Sequence, residues 1–403
     1  MKLSRNAKNA FLLGGLCAIA YLAVYFARNV LSAVSQQMID GGRFDEAYIG
    51  ALSSTFFVFY AVGQLINGAI GDKINARYMI STGLLLAAAL NAVFPLIATN
   101  SFLSKLSYGL VGFCLSFIYG PMTKVVSENV EPIHATRCGI AYTFSSYFGS
   151  PLAGVVAMIA SWQWAFGISS VFLAFMATTC FLSFLALEKR GIVKYDKFSS
   201  KRKESRTSVK SLVKDYHVIK FSIISMVTGI IRTALLSWFV IYFAQHLKYS
   251  TTEAEGIFSI TTIIISGAAF FSIFIYERLN RNMDLTIILA FLFASIGFGV
   301  LFFVKLRLLN IIILVISVFA SNCAATMLWS RYCPSLYETG MVSTVTGFLD
   351  FLSYMAAALA NVIFPLLVKD KDWSYVILVC FVLMLVGFVI SLPIDKLKKK
   401  KAA

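Results

Sequence analysis

The 403-residue sequence predicts an all-α membrane protein, with twelve transmembrane helices in two pseudo-symmetric six-helix halves. Three observations predict it. The chain is 59% hydrophobic and 13% charged, with a mean hydropathy of +0.80, whereas a soluble chain carries about 25% charged residues. Apolar runs of about 20 residues, the length that crosses a bilayer, recur along the whole chain. A polar, basic stretch divides those runs six and six. Continuous rather than alternating apolar character, with few prolines, favours helices over a barrel.

In chain order the predicted spans cover 10–35, 47–70, 78–98, 103–126, 138–160 and 163–187 in the first half. Those of the second half cover 218–244, 253–275, 284–304, 308–329, 340–367 and 373–394. The first run begins near Ala10 and passes Val34, too long for the apolar core of a cleaved signal and lacking a small-residue cleavage site, so it is expected to be retained. The boundaries expected from this pattern are 1–188 for the first half, 189–217 for a cytoplasmic Lys- and Ser-rich linker, and 218–403 for the second half with its basic tail.

An even number of spans puts both termini on one side. With the termini inside, inner segments hold 26 of the 35 Lys/Arg, eleven of them between Lys189 and Lys220 and five between Lys396 and Lys401; the outer loops hold seven. This asymmetry predicts a multi-pass protein of the plasma membrane (the inner membrane of a bacterium) with cytoplasmic termini. The net charge of +16 resides in runs that flank apolar spans, so it reads as topology signal and contact to anionic lipid rather than as a nucleic-acid surface. Seven cysteines show no CxxC or Cys/His ligand spacing, and His134, His217 and His246 fall in or near loops. With no phosphate-binding loop, metal cluster or nucleophile–base pair, no cofactor and no enzymatic activity are expected, and transport energy must come from exchange or an ion gradient.

Two basic residues lie inside spans, Arg28 in the first and Arg232 in the seventh. Arg28 precedes Asp72 by 44 residues and Arg232 precedes Glu277 by 45. The loop Asp72-Lys73-Ile74-Asn75 matches Glu277-Arg278-Leu279-Asn280 in acid, base, apolar and Asn order. The two arginines thus occupy equivalent positions in the two halves, and parallel halves related by an axis along the membrane normal are the pattern of major facilitator transporters.

An arginine at mid-helix costs roughly 2.5–3.5 kcal/mol on insertion scales and needs a partner or a wet cavity. Its planar fork suits phosphate or carboxylate, and two forks facing each other across a pseudo-two-fold axis would bind a dianion. The alternative for Arg28 is snorkelling toward the end of its span. Tyr21, Tyr25 and Arg28 share one stripe, and Ser225, Thr228, Gly229 and Arg232 form a small polar stripe on the seventh span. Asp350 reads as the sole carboxylate inside a span, on a face with Ser343, Thr346, Gly347, Ser353 and Tyr354. It could select cargo, relay a proton or pair with an arginine. Tyr60, Gln64 and Asn67 make a polar face on the second span. The loop from Gly68 through Asp72 and Lys73 to Arg77, with Glu277 and Arg278 in the second half, reads as a cytoplasmic gate.

These residues resemble the organophosphate:phosphate antiporter family, the bacterial glycerol-3-phosphate and hexose-phosphate transporters. The resemblance is carried by Ala20-Tyr-Leu-Ala-Val-Tyr-Phe-Ala-Arg28-Asn, by Tyr60-Ala-Val-Gly-Gln64-Leu-Ile-Asn-Gly68 running into Asp72, by Ile231-Arg232 through Trp238, and by Thr346-Gly347-Phe348 through Tyr354. It implies alternating access, with Arg28 and Arg232 holding a phosphoryl group and Tyr25 and Tyr21 nearby; the polar faces of spans two and eleven add Gln64, Asp350 and Tyr354 to the candidate substrate-binding residues. It also implies a monomer exchanging a small organic anion for inorganic phosphate. Gln64 stands where members commonly carry Lys, and Ser146 where they often carry His, which leaves this site less positive. Two other readings stay open: a proton-coupled carrier of another anion or drug using Asp350, and a transporter-like sugar-phosphate sensor.

Overall fold

A computed structural model describes residues 5–70, 74–195, 216–336, 342–370 and 372–392. Among these every regular element is helical, and they form twelve spans. Spans one to three are Arg5–Asp40, Glu46–Ile70 and Ala76–Ile97. Span four is Ser101–Leu115 with Tyr119–Asn129, span five is Pro132–Ser146 with Gly149–Ile159, and span six is Trp162–Lys189. Span seven runs through Val218–Gly229, Ile230–Leu235, Phe239–Ile241 and Tyr242–His246. Span eight is Thr251–Ser266 with Ala268–Arg278, and span nine is Met283–Leu301. Span ten is Arg307–Met327 continued by Leu328–Tyr332 and Cys333–Ser335. Val342–Asp370 and Trp373–Ser391 complete the set.

Local chemistry explains the starts and the breaks. Asn100 caps span four by accepting from the backbone N–H of Phe102 and Leu103, both at 3.1 Å, and Asn282 caps span nine through Leu285 N–H. Span five starts at Pro132, six residues earlier than its apolar run, because a proline at the first helical position gives up an N–H that has no intrahelical partner. Spans four and five, continuous in the sequence reading, are each interrupted. Pro121 and Pro151 lack the N–H that would reach back to Phe117 and Tyr147, and both chains turn there before resuming. Span seven carries two π-helical stretches and span ten one, at Leu328–Tyr332. Large apolar side chains such as Phe11, Leu96, Ile159 and Phe303 are exposed, as suits a surface solvated by lipid tails.

Two compact units result. One comprises Met1–Lys203 with Ser237–Ile263, so the second part of span seven and the first part of span eight pack with the first six spans. The other comprises Glu204–Leu236 with Ile264–Ala403.

Candidate functional site

In the first unit, span one is positioned by a close crossing with span five. A side chain at Gly149 would fall within 2.7 Å of the Phe26 backbone nitrogen, so the helices approach at the level of Tyr25. The same added side chain would meet the carbonyl carbon and Cβ of Tyr25 at 2.5 Å, so the crossing fixes the Tyr21–Tyr25–Arg28 stripe at its middle residue. The Arg28 guanidinium lies 5.2 Å from the Tyr25 ring centre, 5.1 Å from Phe57 and 5.5 Å from Tyr60. It is half-buried, and its three aromatic neighbours come from spans one and two. Rings attract a cation through their negative faces without neutralising it, so this box holds Arg28 in place and charged. Tyr21 continues the aromatic wall, 5.0 Å from Tyr25, 5.5 Å from Tyr119 and 6.2 Å from Tyr142. Tyr119 follows the interruption in span four and Tyr142 precedes that in span five, so the breaks help to set the tyrosines of this wall.

In the second unit Arg232 sits in the π-helical stretch Ile230–Leu235, with its guanidinium 6.0 Å from the Trp329 ring. Trp329 is itself in the π-helical stretch of span ten. Both arginines therefore stack on aromatics. Thr326 and Asn322 lie on the Trp329 face of span ten, one and two turns below it, and Asn322 Oδ1 is buried with no hydrogen-bond partner among the described residues. Asp350 is half-buried and Tyr354 buried on span eleven, where a side chain at Gly347 would meet nothing within 4 Å among the described residues.

The small stripe on span seven serves close helix packing. Ser225 Oγ donates to the Leu349 carbonyl at 2.7 Å, and Gly229 lies against Ser353, whose carbonyl a side chain at 229 would approach to 2.7 Å. Thr228 Oγ1 bonds the Ile224 carbonyl of its own helix. Ser225, Gly229 and Ser353 are thus the packing seam of spans seven and eleven, and Arg232 alone of that stripe reaches an aromatic partner. On span two, Asn67 Nδ2 donates to Ser116 Oγ at 2.6 Å and so joins spans two and four, while Tyr60 turns to Arg28 and Gln64 is half-buried.

At the end of the first unit where span one begins, Arg77 pairs with Glu188 at 2.5 Å and donates to Tyr78 Oη at 2.6 Å. Tyr195 Oη donates to the other Glu188 oxygen at 2.7 Å, and burial together with that carboxylate pushes the Tyr195 phenol above its ordinary range. Arg77 thereby ties span three to span six and to the chain that leaves it. Asp72 and Lys73 lie outside the described residues, as do the surroundings of Gly68. Glu277 and Arg278 are exposed, Arg278 over Phe274 of its own helix at 5.1 Å.

One sequence expectation is corrected. Asp350 is not the sole carboxylate within a span: Glu255, inside span eight, is 1% exposed and accepts from Gln37 Nε2 at 2.8 Å. It was visible two residues into the predicted run 253–275. Phe57, Trp329 and Glu188 were not singled out by the sequence, since each matters through a partner distant along the chain, and neither were Asn322 and Tyr195.

The sequence profile described as Major Facilitator Superfamily matches residues 17–361. A probable hexose phosphate transport protein of Chlamydia muridarum is 22% identical over 394 residues, covering 88% of this chain and 84% of that protein. The membrane sensor protein UhpC of Escherichia coli is 29% identical over 76 residues, 19% of this chain and 17% of that one. Among solved structures, a D-xylose-proton symporter superposes with a TM-score of 0.75 at 12% identity, over 95% of this chain and 97% of that one.

Proposed function

The chain belongs to the Major Facilitator Superfamily, and on that premise we propose that it carries a small phosphorylated organic molecule, a sugar phosphate foremost, in exchange for inorganic phosphate. The observation that carries this reading is the pair of intramembrane arginines, each stacked on aromatic rings, Arg28 in the first unit and Arg232 in the second. A guanidinium held this way stays charged and keeps a fixed orientation, which suits the planar oxygens of a phosphoryl group. In this reading each arginine is a phosphoryl ligand. Tyr21, Tyr25, Gln64, Asp350 and Tyr354 supply hydroxyl, amide and carboxylate groups that choose the organic part. In this reading both termini and the Arg77–Glu188 pair face the cytoplasm across a bacterial inner membrane, which the Lys/Arg asymmetry supports.

The experiment is counterflow of radiolabelled inorganic phosphate in vesicles reconstituted with the pure protein, challenged with a panel of sugar and glycerol phosphates. Phosphate-loaded vesicles should take up label, and one or more esters should compete. Absence of exchange with every ester, alongside specific binding of one, would favour the sensor reading, for which the local similarity to a membrane sensor protein speaks.

A further inference from the structure

The outer part of the first unit contains a buried acid that the proposed cargo site does not use. Span one ends at Asp40, span five at Ile159, and span eight begins at Thr251; the three meet around Gln37 and Glu255. Gln37 Nε2 reaches Glu255 Oε1 at 2.8 Å, the Ala157 carbonyl at 2.7 Å and the Ala160 carbonyl at 3.3 Å. Those two carbonyls belong to the last turn of span five, where backbone oxygens lack intrahelical donors. One amide group therefore brings two hydrogens to three acceptors. Span five also lies close against span eight, since a side chain at Gly154 would meet Ser259 Oγ and come within 3.0 Å of the Glu255 carbonyl.

The charges around Glu255 all disfavour a second anion. Asp40, on span one, is the charged group near enough to act on it, and span five brings no titratable residue between Gly149 and Ile159. Asp40 is well served as an anion, accepting from Gln36 Nε2 at 2.8 Å and from Thr251 Oγ1 at 2.5 Å. Glu253, the other acid of this turn of span eight, accepts from Ser250 Oγ at 2.8 Å. The negative end of the span-five dipole points the same way. Among the described residues no Lys, Arg or His pairs with Glu255. A proton on its carboxyl removes the uncompensated charge and supplies the missing third donor.

We propose that Glu255 is a proton-binding site whose occupation holds the outer ends of spans one, five and eight together. The proton enters and leaves as H⁺ between the carboxylate and external water, with no other bond formed or broken. When Glu255 is ionised the junction loses a donor and gains a buried charge beside Asp40, and the outer end of span eight separates from Gln37 and Gly154 into water. Raising external pH therefore favours the open junction and lowering it the closed one. This rests on the reading of the chain as an alternating-access carrier, but the test needs no cargo, so the two can fail separately.

Spin labels at Ser161→Cys and Thr252→Cys, both exposed beside the junction, would report its width by pulsed electron resonance in a background whose native buried cysteines are replaced. From about pH 5 to about pH 8 the longer-distance population should grow, by up to about tenfold per pH unit for a single linked proton. Glu255→Gln, a neutral mimic of the acid, should stay at the shorter distance throughout. A distance distribution that ignores pH in the unsubstituted junction, or that shifts equally in Glu255→Gln, overturns the proposal. Should Glu255→Gln fail to insert, the pH response of the junction with Glu255 intact still decides it, together with Asp40→Asn, which should move the midpoint to lower pH by removing repulsion of the ionised form.

Discussion

A guanidinium surrounded by rings differs from an ammonium in the same place. Three aromatic faces within about 5.5 Å suit the flat, weakly hydrated Arg28 head, whereas lysine would present a compact, strongly hydrated charge on a flexible stem. Arg28→Lys and Arg232→Lys keep the charge and lose both the stack and the bidentate fork. Each should lower phosphate counterflow by about tenfold to a hundredfold, the scale of one charge-assisted hydrogen bond, while membrane insertion is preserved. Near-normal flux in both variants would take the arginines out of the phosphoryl site and favour snorkelling for Arg28. The arginines and the Tyr21–Tyr25 stripe were legible because charge inside an apolar run is rare and the helical period is fixed. Phe57 and Trp329 were not. In a chain with 36 Phe and 5 Trp, nothing local marks the rings that meet a cation, and that information exists only once spans two and ten have packed.

At the scale of elements, glycine and proline set where spans touch and where they break. The breaks near Tyr119 and Tyr147 follow from Pro121 and Pro151 and could be read from the sequence, although the apolar pattern alone suggested unbroken helices. The π-helical stretches carrying Arg232 and Trp329 left no comparable mark, because an inserted residue alters hydrogen-bond register rather than composition. Gly229 shows how a polar stripe and a packing seam share one composition. Ser, Thr and Gly suit a cavity wall and a close helix crossing alike, and only the contact with Ser353 distinguishes them. Gly229→Leu should force spans seven and eleven apart at a cost of about 1–3 kcal/mol, seen as a lower unfolding temperature in detergent and reduced flux as Arg232 shifts from Trp329. Thr228→Val, one residue earlier and bonded only within its helix, should change both far less. A Gly229→Leu protein as stable as the parent would mean that the crossing is looser than its geometry.

For the whole molecule, two acids offer two ways in which protons could enter the cycle, and they make different predictions. Twelve spans were legible because they depend on sums of apolar residues over long windows, while most of the expected linker 189–217 lies outside the described residues. The Gln37–Glu255 junction was not, since its members lie 218 residues apart in the chain. A proton that binds Glu255 from outside and leaves to the outside does no transport work, so it can set a rate but cannot drive accumulation. A proton that binds Asp350 with cargo and is released on the opposite side would drive it. In vesicles without internal phosphate, an imposed pH gradient should therefore fail to concentrate the organic phosphate, whereas phosphate-loaded vesicles should accumulate it with or without the gradient. External pH should still change the exchange rate, and Glu255→Gln should flatten that profile. Asp350→Asn, which keeps size and hydrogen bonding while removing charge, should alter which ester is preferred and leave phosphate exchange in place. Accumulation on the pH gradient alone, lost in Asp350→Asn and retained in Glu255→Gln, would make the protein a proton-coupled carrier with Asp350 as its coupling site. It would leave Glu255 as the gate, because a neutral gate residue alters how often the outer end opens without altering the thermodynamic force across the membrane.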